Sequence, residues 1–136
     1  MVNTRRLMVA VAALAWLTPP PVAAAQESRA VELAVPRAPS SQEGVYLSVQ
    51  VGVITRGTEI EITTPSGKWI GTVSPFAIRP GQPAGTYIFP LDPTLIQNGH
   101  ITVDLSLTHP GTPTRSPTPD EVPKVSIRYM PVGTAR

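Results

Sequence analysis

Between Val45 and Ile54 the chain reads VYLSVQVGVI, with Val45, Leu47, Val49, Val51 and Val53 on every second position and Tyr46, Ser48, Gln50 and Gly52 between them. Successive side chains of a strand point to opposite faces, so this spacing predicts a half-buried central β-strand with one continuous apolar row. A slip of one residue turns all five apolar groups to solvent, which pins the register of whatever pairs with it. A second strong alternation, HITVDLSL from His100 to Leu107, sets Ile101, Val103, Leu105 and Leu107 against polar positions and predicts a natural partner for the first strand.

Shorter alternations fill the rest of the chain. Thr58 to Thr63 places Ile60 and Ile62 opposite Glu59 and Glu61, and Lys68 to Val73 runs back from it. Between them Thr64-Pro65-Ser66-Gly67 is strong turn chemistry, because proline presets φ and glycine accepts a left-handed position, so Thr58 to Val73 is expected to be a hairpin. Ala30 to Val35, Thr86 to Phe89 and Lys124 to Met130 are further strands, with at most a short one at Phe76 to Arg79 inside a Pro/Gly-rich connection. Asp92-Pro93 predicts one capped helical turn over Leu91 to Ile96, and Asn98-Gly99 a tight turn into the second strong strand. His109 to Pro123 holds five prolines and a single aliphatic residue, which predicts an extended, mobile loop that buries little surface.

About seven short strands with turns every eight to twelve residues predict an all-β fold, a small antiparallel β-sandwich with immunoglobulin-like or jelly-roll topology. Gly85-Thr86-Tyr87 resembles the corner tyrosine of immunoglobulin-type domains, whose phenol bonds back to the backbone. The likeness covers only a handful of residues, and the Cys–Trp–Cys signature of those domains is absent.

The first 25 residues have a different character. Arg5 and Arg6 precede an apolar run of eleven residues, Leu7 to Leu17, then Thr18-Pro19-Pro20-Pro21 and the small residues Ala23 to Ala25. This is the layout of a cleavable signal peptide, too short to span a bilayer, where about 20 apolar residues are needed. The paired arginines also resemble a twin-arginine export motif, though the ordinary secretory route is the expectation. The expected organisation is a signal peptide over 1–25, a polar leader with a possible first strand over 26–44, a sandwich domain over 45–131 and a frayed C-terminus over 132–136. No integral membrane segment is expected after cleavage, and the location is periplasmic or secreted.

Removing the signal changes the charge. The full chain carries 11 Lys and Arg against 9 Asp and Glu, and the loss of Arg5 and Arg6 leaves it balanced. With no basic cluster and few aromatics, nothing in the composition favours nucleic acid. The absence of cysteine excludes disulfides, thiol redox chemistry and Cys-based zinc sites, so stability must come from packing.

Candidate chemistry is sparse. The sequence lacks a nucleophile elbow, a phosphate-binding loop, an H-E-x-x-H helix and an acidic calcium loop. His100 and Asp104 share a strand face but stand roughly 13 Å apart, too far for a hydrogen bond. Glu59 and Glu61, about 7 Å apart, match a two-carboxylate spacing, yet an open strand face offers no cleft to raise an acid's pKa. Neither an enzyme nor a cofactor or metal site is expected. Binding is the better class. Strand alternation places Trp69 with Gly71 and Val73, inward, where an indole buries most area. Turned outward together, Trp69, Tyr46 and Tyr87 are the candidate ligand-binding residues, an aromatic surface suited to sugar rings. The expectation is an exported non-catalytic accessory module that binds another protein outside the cytoplasm. A carbohydrate-binding module using exposed aromatics is the alternative, and a small hydrolytic enzyme ranks third.

Overall fold

The computed structural model describes residues 28–75 and 78–133, so the proposed signal peptide lies outside the described residues. Among the described residues seven strands form two antiparallel sheets: β1 Arg29–Ala34, β2 Glu43–Val51, β3 Glu59–Thr63, β4 Trp69–Val73, β5 Gly85–Pro90, β6 His100–Thr108 and β7 Lys124–Pro131. One sheet has the order β1-β6-β3-β4 and the other β5-β2-β7. The architecture is a small all-β sandwich. In constant-type immunoglobulin domains the first strand pairs with the second. Here β1 pairs with β6, so the strand order departs from that arrangement.

The core follows from the alternation. Val45, Leu47, Val49 and Val51 of β2 and Ile101, Val103, Leu105 and Leu107 of β6 are all buried in one apolar cluster with Ile60, Ile62 and Val73. The expected β2–β6 pairing does not occur, because the two strands belong to opposite sheets. Each carries one apolar row, and setting the rows face to face across the sandwich buries both, whereas side-by-side pairing leaves both needing a cover. Val53 departs from the expected row and is 51% exposed. The strand ends at Val51, where the Gly52 N–H donates to the Glu121 carbonyl and the Gly52 carbonyl accepts from Ala84 N–H, and Ile54 takes the buried place.

Local signals act as expected. The hairpin turn closes with Gly67 N–H donating to the Thr64 carbonyl at 2.9 Å and Gly67 at φ +90°, a conformation glycine takes without steric cost. Asp92 accepts from Thr94 N–H at 2.9 Å and caps a single 3₁₀ turn, Pro93–Leu95. Tyr87 OH donates to the Ala84 carbonyl at 3.2 Å, a phenol bonded back to nearby backbone. At Phe76 to Arg79, two residues lie outside the described set, and Ile78 and Arg79 are not in a strand.

The His109 to Pro123 segment corrects the expectation of a loop that buries little. Its first half is tied by reciprocal backbone bonds between Leu107 and Arg115, at 2.7 and 3.0 Å, and its second half closes over the sandwich. Val122 is fully buried, and the Arg29 guanidinium, entering from β1, donates to its carbonyl at 3.1 Å. Arg115 donates two hydrogen bonds to Glu121, at 2.7 and 2.8 Å, so this carboxylate is held in an ion pair inside the segment. One aliphatic side chain and one charge pair suffice because the prolines have already restricted the unfolded chain.

The Glu121 carboxyl, only 16% exposed, is lowered from 4.5 to about 2 by the Arg115 hydrogen bonds, with Thr118 donating as well. A depressed folded pKa means that the unfolded chain takes up the proton first. The stability it contributes is present above pH 4.5 and lost as the pH falls toward about 2. With Arg115 partly in solvent, the loss is roughly 1–2 kcal/mol. Acid titration of unfolding free energies should show this slope in the native chain and a flatter profile in Glu121→Gln. Equal slopes in the two proteins would contradict the assignment.

Candidate binding surface

The outer face of the four-stranded sheet is assembled from the polar positions of its strands. Register aligns Glu32 with Thr102, Asp104 with Thr63, and Ser106 with Glu61 and Thr72. Glu32, Glu59, Glu61 and Asp104 therefore share a surface on which no strand position holds Lys or Arg, and Ser74 donates to Glu59 at 3.0 Å. The outer face of the three-stranded sheet differs in sign: Lys124 and Arg128 sit there with Ser48, Gln50 and Ser126.

Trp69 stands at the edge of the acidic face. Strand alternation expects it inward, but the pairing of β3 with β4 shifts between Ile62 and Thr63, so that Ile62 opposes Gly71 while Thr63 opposes Trp69. A β-bulge of this kind adds one residue and reverses the facing of what lies beyond it. Ile70, the extra residue, packs against the core, and Trp69 is left 63% exposed. Its indole N–H donates to Thr72 Oγ1 at 3.0 Å, which holds the ring along the strand toward the Glu61 row. Gly71 supports the inner side, where Phe89 of the opposite sheet fills the space that a Cβ would take.

The other two aromatics lie elsewhere. Tyr46 is on the outer face of the three-stranded sheet, level with Pro90 and Arg128, and its ring folds back over Gly44. Tyr87, opposite Val49, packs against the core and is only partly exposed. The fold does not bring Trp69, Tyr46 and Tyr87 onto one surface.

Both histidines make local contacts. His109 Nδ1 is 3.2 Å from Thr58 Oγ1, and His100 Nδ1 is 3.5 Å from Glu32 Oε1. Among the described residues no group of three or more His, Asp or Glu side chains is arranged to hold a metal ion, and no helix is long and apolar enough to cross a membrane. Two features had no sequence signal. A clamp joins the leader to the last strand: Arg37 lies 4.0 Å over the Tyr129 ring, pairs with Glu43 at 2.6 Å, and its carbonyl accepts from Tyr129 OH at 2.6 Å. The second is a polar groove beside the Asn98-Gly99 turn. Both join segments far apart in the chain. No protein-family model matches the chain, and no curated protein or solved structure matches it significantly.

Proposed function

We propose that this protein is an exported, non-catalytic accessory module, acting in the periplasm or after secretion, that binds a partner protein through the acidic face around Trp69. The exposed indole is the single observation that carries this reading. A tryptophan held 63% exposed and hydrogen-bonded by Thr72 contributes little to the core, and tryptophans of this kind are enriched among residues that dominate protein interfaces. The carboxylates beside it favour a segment rich in Lys or Arg, because matching potentials steer encounter and fix orientation. The open stretch of β-sheet around Trp69 favours contact over catalysis.

The test is crosslinking of a tagged full-length chain in its own source, followed by affinity capture of wild type, Trp69→Ala and a Glu59→Lys/Glu61→Lys variant. Losing an anchoring indole costs roughly 2 kcal/mol or more, which corresponds to about thirtyfold in affinity. Trp69→Ala should therefore abolish recovery of the partner, and the charge variant should reduce it more at low salt than at high. Unchanged recovery with Trp69→Ala would sink the proposal.

A further inference from the structure

Three short turns meet at one end of the acidic face and enclose a half-open groove of about 500 Å³. The hairpin tip Thr64-Pro65-Ser66 forms one wall, the 3₁₀ turn at Thr94-Leu95 a second, and Gln97-Asn98 the third, while Glu32, His100 and Thr102 rise from the floor. Each wall is braced by its own backbone. Thr64 N–H donates to the Lys68 carbonyl at 2.8 Å, Ile96 N–H to Pro93 at 3.1 Å, and Gln97 and His100 exchange bonds at 2.8 and 2.9 Å. Asn98 and Gly99, at φ 52° and 72°, complete the last turn.

The lining chemistry is selective. Glu32 accepts only, the amides of Gln97 and Asn98 both donate and accept, and the Thr94 hydroxyl does either. Pro65 and Leu95 supply apolar surface between them. Among the described residues no Lys or Arg lines the groove, and the nearby Lys68 ammonium lies 3.8 Å from Asp92. An anionic ligand would meet the Glu32 carboxylate with no permanent cation to offset it. A ligand that presents several hydroxyls around a ring with C–H faces matches this mixture of acceptors, donors and small apolar patches. The volume is within the usual range of ligand sites, and turns already closed by their own backbone hydrogen bonds need no backbone ordering on binding.

We propose that this groove is a binding site for a short neutral saccharide, taken up by Glu32, Gln97, Asn98 and Thr94 with a ring face against Pro65 or Leu95. The site uses none of Trp69, Tyr46 or Tyr87, and it does not depend on the protein-partner reading. The side-chain amides make it directly observable. A ¹H–¹⁵N titration of the full chain with neutral glucose, galactose and mannose tetrasaccharides, each to millimolar concentration, should give saturable shifts of the Gln97 and Asn98 side-chain amides with at least one of them. A tetramer of galacturonic acid should give none. Asn98→Gly keeps the left-handed turn and removes only the amide, and Gln97→Ala keeps its backbone bonds. Each should weaken binding about tenfold with the spectrum otherwise intact. If no neutral sugar shifts these amides, if the acidic tetramer binds equally, or if shifts are confined to the Trp69 indole, the proposal is overturned. The absence of shifts at Gln97 and Asn98 is independent of protein capture through Trp69.

Discussion

Gly52→Ala is expected to destabilise the fold by about 3 kcal/mol, although the change adds one methyl group at the end of a strand. A Cβ at this position overlaps the Asp120 carbonyl oxygen, and that oxygen belongs to rigid backbone rather than a side chain that can turn away. Relief requires lifting the segment from Thr118 to Val122. That breaks the Gly52 N–H bond to Glu121 at 2.9 Å and the Arg29 bond to Val122 at 3.1 Å, and it exposes the buried Val122 side chain. Urea unfolding measures the loss directly as a lower midpoint. Val122→Ala acts on the same contact, so the double variant should cost clearly less than the sum of the singles. Full additivity, or a cost below about 0.5 kcal/mol for Gly52→Ala, would mean that the segment is not docked as described.

Leu105→Ala should cost about 3–4 kcal/mol, through lost transfer free energy and the cavity left behind. Leu105 is fully buried at the centre of β6, between Arg29 of β1 and Ile62 of β3 in register, and faces the cluster contributed by the other sheet. Strands on both sides hold the backbone, so the site has little room to collapse. The contrast with Trp69 makes the measurement informative. Trp69→Ala removes a far larger side chain yet should change stability by no more than about 1 kcal/mol, because the ring is mostly in water and its one hydrogen bond is exposed. A reversed ranking in urea unfolding would return Trp69 to the core and remove the basis for a binding role.

Much of the strand content was legible because alternation is a local property. Val45 to Val51 and Ile101 to Leu107 show their apolar rows without reference to anything else, and Asp92-Pro93 and Thr64-Pro65-Ser66-Gly67 carry their turn chemistry in adjacent residues. The same locality misplaced Trp69. Alternation along an unbroken strand turns the indole inward, whereas the shift of pairing between Ile62 and Thr63 depends on how two strands settle against each other. His109 to Pro123 was misjudged for a related reason. Composition gives the average burial of a segment, and here the single Val122 joins the core while the backbone around it bonds to Arg29 of β1 and to Gly52 at the end of β2.

The candidate surfaces were the least legible. Acidic residues at positions 32, 59, 61 and 104 mean little in a list, and they become one face only because β6 lies between β1 and β3. The polar groove draws on segments from Glu32 to Thr102 and exists only once three turns converge. By itself the sequence determined most of the strand segments, the inward rows of β2, β3 and β6 and where the chain turns, since backbone dihedrals and side-chain alternation act over a few residues. The tertiary structure alone decided which strands pair beyond the β3–β4 hairpin, that β2 and β6 oppose each other, that a bulge delivers Trp69 to solvent and that Val122 is buried in the core. These outcomes depend on contacts between residues distant along the chain, chosen by how all the apolar rows can be buried at once, and no single segment carries that information.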